Sequence, residues 1–403
     1  MTGSDALARI DEATRGFEPP FAAVDAAALD ANAAALVRRA GGLPVRVASK
    51  SVRVRGVLAR VLGAELTAAD GFAGLMTYSP REAIWLAEHG ARDVLMGYPT
   101  VDRAALTAIT QSRALTERIT FMVDDLAHLD LLRDVAGSAS IRPRICIDVD
   151  ASLRMGPLHL GVRRSPLRRP DRIAEFAREA KNRGFAVVGV MFYEAQIAGL
   201  PDSSRAVEWM KKLSASELRT RRTAVVDAVT GVVGPLSIVN SGGTGSLEVS
   251  SADAAVTEVT AGSGLFAPTL FDGYRAFTPV PALYFALSVV RTPTPSIATA
   301  FGGGYIASGP ASASRSPSPV ALSVAPSGGV GVVRGGLRLL RNEGAGEVQT
   351  PVSSRGAAVG DRVWFRHAKA GEVCERFDAV HIVEADGGVT TLPTYRGEGR
   401  NFG

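Results

Sequence analysis

Apolar and polar positions alternate along the first two thirds of the chain with two recurring periods. Short apolar runs read as buried strands, and each is followed by a segment with the roughly 3.6-residue repeat of a half-buried helix. Phe21-Ala22-Ala23-Val24-Asp25 precedes an alanine-rich helix reaching about Arg39. Val45 to Lys50 precedes Val54 to Leu62, and Gly74 to Thr77 precedes Pro80 to His89. The series continues with Asp93 to Gly97 and Asp102 to Gln111, Ile119 to Val123 and Leu126 to Val135, and Arg144 to Val149 and Arg169 to Asn182. Phe185 to Phe192 and Leu236 to Asn240 extend it further. A run of about eight such units, with helix starts at Ser79-Pro80 and Arg169-Pro170 and stops at Gly90 and Gly184, predicts a (β/α)8 barrel over residues 21–275. A doubly wound open sheet is the alternative with the same local pattern.

Beyond residue 275 the helical period fades. Pro, Gly, Ser and Thr dominate from Thr292 to Gly336, interrupted by the apolar runs Val320 to Val324 and Val330 to Val333. This pattern predicts a second, mainly β domain over residues 276–403, joined by part of 1–20. Ser308 to Ser318 reads either as part of that domain or as a disordered loop. With 403 residues and 46% hydrophobic content, the chain can bury one large core and one smaller one.

Candidate chemistry falls at strand ends, where a barrel carries its active groups. Lys50 closes the alternating stretch Val45-Arg46-Val47-Ala48-Ser49-Lys50. An amine held there among apolar neighbours becomes a nucleophile towards a carbonyl, including an aldehyde cofactor. A snorkelling surface lysine is the bland alternative. The later strand Pro235 to Asn240 runs directly into Ser241-Gly242-Gly243-Thr244-Gly245-Ser246, and the next ends in Ala261-Gly262-Ser263-Gly264. Glycines there let successive N–H groups turn towards one oxyanion while hydroxyls add donors, so the two loops together form a candidate phosphate cradle. Dinucleotide binding fits less well, because Glu248 stands where a third glycine belongs and the motif closes a late strand.

The net charge of +5 comes with one local arginine run, Arg163-Arg164 to Arg168-Arg169, that lacks interleaved aromatics. It reads as a solvated loop rather than a nucleic-acid surface. Two cysteines, Cys146 and Cys374, cannot build a disulfide framework, and Cys146 lies in an apolar strand where a reduced buried thiol is expected. Met1 to Ile10 lacks a basic segment followed by an apolar core, and no apolar run approaches a membrane span. A cytoplasmic protein without membrane or nucleic-acid partners is therefore expected.

These elements in order resemble the fold type III pyridoxal phosphate enzymes. The elements are a strand ending in Lys50, Asp148-Val149-Asp150 leading to Arg154-x-Gly156, Tyr193 at a strand end, Ser241-Gly242-Gly243-Thr244, Gly262-Ser263, and His367. The nearest branch is the D-threonine aldolase and D-serine dehydratase group. Within it, Trp364-Phe365-Arg366-His367-Ala368-Lys369-Ala370-Gly371-Glu372 is similar to actinobacterial amino acid deaminase/aldolase proteins. The resemblance implies that Lys50 holds pyridoxal 5'-phosphate and moves the substrate's α-proton. It also implies that Ser241, Gly243, Thr244, Gly262 and Ser263 hold the phosphate and that Tyr193 lies near the ring or substrate. Arg154 matches the family arginine at the pyridine nitrogen. A permanent cation there keeps that nitrogen unprotonated and suits α-proton chemistry coupled to a departing β-group.

The same family binds a divalent cation, zinc or manganese, through a histidine and a cysteine or aspartate two residues on. Here Lys369 stands at that second position, and a protonated lysine cannot ligate a metal. Either Cys374 or Glu372 joins His367 from another offset, or the Lys369 ammonium replaces the cation as the acid at the β-hydroxyl. The expected activity is a lyase for a small D-3-hydroxy amino acid, by retro-aldol cleavage or by dehydration and deamination, in a homodimer. An amino-acid racemase, with an opposite-face acid among Tyr284, Tyr305 and Tyr395, and a non-catalytic cofactor-binding protein are the alternatives.

Overall fold

A computed structural model of the chain describes residues 3–67, 69–137, 142–309, 312–323, 332–334 and 336–403. The chain divides into two compact units. One comprises Ala35–Lys50, Leu58–Gly262 and Phe402–Gly403, the other Met1–Ala34, Ser51–Val57 and Ser263–Asn401.

The first strand, β1 (Phe21–Asp25), does not enter the barrel. Instead it pairs antiparallel with a later strand, Leu283–Thr294, and parallel with Ala379–Val383. The barrel begins with β2 (Val45–Ala48), followed by β3 (Phe72–Thr77), β4 (Val94–Met96), β5 (Ile119–Val123) and β6 (Arg144–Val149). A hairpin of β7 (Leu153–Met155) and β8 (Leu158–Leu160) follows, then β9 (Ala186–Phe192), β10 (Ile238–Ser241) and β11 (Glu258–Ala261). Spatial order β10-β11-β2-β3-β4-β5-β6-β9 closes the barrel with eight parallel strands. The count matches the alternation in the sequence, but the membership is displaced by one. β1 is fully buried in another sheet, and β11 supplies the eighth barrel strand. An apolar strand is marked by its pattern, whereas its partners are not.

Local signals set several element boundaries. Ser79 accepts from the Glu82 N–H at the start of Pro80–Glu88, and Glu82 reaches back to the Tyr78 N–H, so two otherwise unpaired donors are satisfied by one short motif. Arg169, by contrast, makes no side-chain cap, and Pro170 alone marks the start of Pro170–Asn182. The barrel interior packs Leu95, Met122, Cys146, Met191 and Ile238 together. Cys146 and Cys374 are both free and buried.

The second unit is built on a mixed sheet. Its long central strand, Leu283–Thr294, pairs with β1 on one side and with Arg362–Arg366 on the other. Ser318–Ser323 and Val389–Pro393 extend it outward. The helix Gly3–Ala13 adds Leu7 and Ile10 to a core with Phe21, Tyr284, Trp364 and Val383. Of the Ser308 to Ser318 stretch, Ala313–Arg315 forms a single 3-10 turn, and residues 310 and 311 lie outside the described region. Val324 and Val330 of the apolar runs also lie outside it. Among the described residues no helix is long and apolar enough to cross a membrane.

Candidate active site

Lys50 sits just past β2, in the turn Ser49–Ser51, at the carboxyl end of the barrel. Its Nζ donates to the Tyr98 hydroxyl at 3.0 Å. Tyr98 follows β4, so two strand ends separated by β3 bring these groups together. The Arg164 guanidinium lies over both the Tyr98 ring and the Tyr193 ring, 5.4 and 5.2 Å from their centroids, within cation–π range. Burial raises the Tyr98 phenol, but the Lys50 charge and Arg164 outweigh it, and the net pKa lies below the ordinary tyrosine value. For the Tyr193 phenol the balance goes the other way. Burial, opposed in part by Arg164, holds its pKa above the usual value.

The glycine loop after β10 closes the same side of the barrel. Gly243 must be glycine, because a Cβ there would approach the Ala198 Cβ to 2.8 Å, with the Tyr193 ring at 3.6 Å. The loop is shaped from beneath by Glu194, which is 1% exposed. Glu194 accepts from the hydroxyls of Ser241 at 3.0 Å and Ser246 at 2.9 Å, from Ser250, and from the Gly242 N–H at 3.2 Å. Arg222, from the long helix Arg205–Val233, donates to the Ser241 hydroxyl at 2.7 Å and pairs with Asp253. The Ser241 hydroxyl is therefore engaged in the support of the loop, while Thr244, Gly245 and Gly262 stand at the ends of adjacent strands. In barrel order β11 adjoins β2, the strand that leads to Lys50, and β10 adjoins β11.

Arg154 falls on β7, where its side chain is 47% exposed and pairs with Asp150 at 2.5 Å. The guanidinium beside the two tyrosines is that of Arg164, ten positions on. Within the arginine run, Arg168 bonds the Ser152 carbonyl and Glu217, and Arg169 pairs with Asp171. Asp148, at the end of β6, is 7% exposed. Burial and the Asp124 carboxylate push its pKa up to about 7, against the pull of Arg164. Tyr98 and Glu194 were not singled out in the sequence, Asp148 was named only as the start of Asp148-Val149-Asp150, and Arg164 only within an arginine run expected to be solvated. For Tyr98, Glu194 and Asp148 the usable signal was position alone, at or next to a barrel strand end. Arg164 had none.

In the mainly β unit, His367 directly follows the strand Arg362–Arg366 and is 2% exposed. Neither ring nitrogen has a hydrogen-bond partner. An orphaned buried polar group of this kind costs about 1–3 kcal/mol. Burial, with the Arg366 charge added, drives its pKa down to about 3, and the nearby Leu283 backbone offsets this only in part. Lys369 donates to the Ser308 carbonyl at 3.4 Å, and Glu372 accepts from the Ser308 N–H at 3.0 Å. Cys374 lies in the turn Ala370–Arg376, fully buried, its thiol pushed up to about 12 by burial. That turn is fixed by Gly371, where a Cβ would sit 2.3 Å from the Ser51 carbonyl. Of the three tyrosines considered as an opposite-face acid, Tyr284 and Tyr395 are buried, and Tyr305 lines a pocket with His367.

A closed parallel barrel with a lysine at its carboxyl rim, accompanied in the chain by a mainly β unit, defines the alanine racemase-like class of fold, that of the fold type III pyridoxal phosphate enzymes. The chain belongs to the family of the alanine racemase N-terminal domain, which matches residues 24–269. Similar solved structures include D-threonine aldolase from Filomicrobium marinum, with a TM-score of 0.76 at 18% identity, covering 94% of this chain and 95% of that one. D-threo-3-hydroxyaspartate dehydratase from Delftia sp. HT23 superposes with a TM-score of 0.74 at 18% identity, covering 94% and 98%. Alanine racemase of Clostridium difficile 630 in complex with cycloserine gives 0.59 at 14% identity, covering 94% and 99%. At these identities the likeness is one of fold. No curated protein matches the chain in sequence.

The barrel residues fit the cofactor of this family: an amine within hydrogen-bond reach of a phenol, a cation between two aromatic rings, and a glycine loop too close-packed for a Cβ. The surroundings of His367 do not fit a divalent cation. Among the described residues no three His, Cys, Asp or Glu side chains gather as metal ligands would, and the position two residues beyond His367 holds an ammonium without a lone pair.

Proposed function

We propose that the chain is a pyridoxal phosphate-dependent lyase acting on small D-configured 3-hydroxy amino acids, by cleavage of the Cα–Cβ bond or by dehydration followed by hydrolytic release of ammonia. The observation that carries the reading is the Lys50–Tyr98 contact of 3.0 Å at the barrel rim, beside the β10 and β11 loops. The cofactor, when bound, supplies an electron sink for charge that develops at the substrate's α-carbon. Lys50 would hold it through Nζ, and the same amine would take or return the substrate's α-proton. Tyr98 orients that Nζ. Gly243, Thr244, Gly262 and Ser263 hold the phosphate through backbone N–H groups and hydroxyls, with Ser241 and Glu194 fixing the loop from below. Tyr193 flanks the ring. In this reading Arg164 contributes a cation beside the phenols, whereas Arg154 takes a place at the pyridine nitrogen only if its pair with Asp150 opens. The D-threonine aldolase and the D-threo-3-hydroxyaspartate dehydratase of similar fold support the substrate class. A homodimer in the cytoplasm belongs to the same reading.

Purified protein should show an absorbance band at about 410–430 nm, the general range of a lysine-bound pyridoxal cofactor. Lys50→Ala should abolish it. With D-3-hydroxy amino acids the wild type should release glycine plus an aldehyde, or a 2-oxo acid plus ammonia. A colourless protein that takes up no cofactor would sink the proposal, and α-deuterium exchange with inversion from L-alanine in deuterated water would replace it with racemisation.

A further inference from the structure

Beyond the barrel chemistry, the mainly β unit contains a pocket of about 20 Å³ lined by Tyr305, His367, Lys369, Glu372 and Arg376. Ile306, 47% exposed, and the exposed Arg376 stand at its edge, so it reaches the surface. His367 is 98% removed from solvent and both its nitrogens are unpartnered. A native structure rarely leaves such a group unsatisfied without an occupant to meet it. The volume suits one ligand oxygen atom at the histidine rather than a bulky group.

The surrounding charges decide what kind of oxygen it is. Lys369 and Arg376 contribute two cations against the single carboxylate of Glu372, which already accepts from the Ser308 N–H. Neither cation has a lone pair to offer a metal, and both repel one. A neutral imidazole has one N–H to give, and an ammonium or guanidinium gives more. We propose that this pocket binds the carboxylate of a small molecule, one oxygen accepting from the His367 ring and the other facing Lys369 and Arg376. The Tyr305 hydroxyl, held half-buried among Phe285 and Phe377, supplies a further donor at the same pocket. The residues that line the pocket all belong to the one unit.

The test uses the full chain, nitrogen-15-labelled, with sodium malonate as probe and sodium chloride at equal ionic strength as control. The sequence has five histidines, so the His367 imidazole is assigned by its disappearance in His367→Gln. Malonate should shift that resonance saturably. Lys369→Met and Arg376→Leu should each weaken the affinity by about tenfold or more, the usual worth of a charge-assisted hydrogen bond. Arg376 is exposed, so its variant guards against a Lys369→Met chain that fails to fold. Absence of a saturable shift beyond chloride overturns the proposal, as does unchanged affinity in Arg376→Leu, or a shift produced by stoichiometric zinc and not by malonate. A colourless protein that still binds malonate refutes the lyase reading and leaves this site standing. A coloured one that does not bind it does the reverse.

Discussion

Asp148 shows how a single side chain at the barrel rim sets a pH dependence. Its pKa rises from 3.8 to about 7 because burial and Asp124 disfavour the charge more than Arg164 favours it. Below about pH 4 folded and unfolded chains both carry the proton. Between about 4 and 7 the unfolded chain ionises first, so the native state binds more protons and stability falls as pH rises. Above about 7 the loss is complete. Asp148→Asn should therefore match the wild type near pH 4 and exceed it near pH 8, by at most about 4 kcal/mol for a shift of some three pH units. Urea unfolding at the two pH values measures it, and a variant less stable than wild type at pH 8 would locate the strain elsewhere. At this scale the sequence was partly legible. Lys50 and Gly243 were read from strand ends and Tyr193 from the resemblance, and all three belong to one unit. Tyr98 escaped notice because Gly97-Tyr98-Pro99 looks like a turn, and Arg164 because it stands in an arginine-rich stretch that reads as a solvated loop. The selected Arg154 lies on a hairpin the sequence does not announce.

Elements carry a different kind of evidence. The barrel's amino-terminal floor is closed by Arg46 on β2, 1% exposed, which bonds both oxygens of Glu258 on β11 at 2.7 Å and Asp93 at 2.9 Å. Asn240 on β10 donates to the same Glu258 at 2.7 Å. A buried pair of this kind adds little net stability over an apolar replacement, yet removing one partner strands a charge in low dielectric. Glu258→Gln should accordingly cost about 3–5 kcal/mol, with Arg46→Met plus Glu258→Leu recovering most of it. A double-mutant cycle from thermal or denaturant unfolding measures the coupling, and additive losses would show that the pair acts independently. Neither Arg46 nor Glu258 was legible as core, since a charged residue inside an alternating strand reads as solvent-facing until the closure of β11 on β2 is known. The same ambiguity displaced β1 from barrel to mixed sheet. Pattern fixed the number and parallel character of the barrel strands, while the long helix Arg205–Val233 passed unread, its face interrupted by Lys211, Lys212, Arg221 and Arg222.

At the scale of the molecule, the mainly β unit is assembled from segments far apart in the chain. Its carboxyl-terminal part was visible from composition, and a contribution from the first twenty residues was expected, but the depth of that contribution could not be read from an amphipathic helix alone. Gly3–Ala13 places Leu7 at 2% and Ile10 at 0% exposure against the sheet. Asp11 then satisfies two buried donors at once, accepting from Trp364 Nε1 at 2.8 Å and from the Ser323 hydroxyl at 2.6 Å. Arg362 closes the segment by donating to the carbonyls of Thr14, Arg15 and Phe17. Burial of each aliphatic side chain is worth about 1.5–3 kcal/mol, and each hydrogen bond to the carboxylate about 1.5–3. Removing residues 1–13 should then cost a large part of a typical domain's 5–15 kcal/mol and open the core around Trp364, which is fully buried. The expected signs are a red-shifted tryptophan emission and a lowered Tm. Asp11→Ala should produce a smaller loss in the same direction, because it leaves the indole N–H and the serine hydroxyl without an acceptor while keeping the helix in place. If the truncated chain melted like the full one, the amino-terminal helix would be ornament to the sheet rather than part of its core.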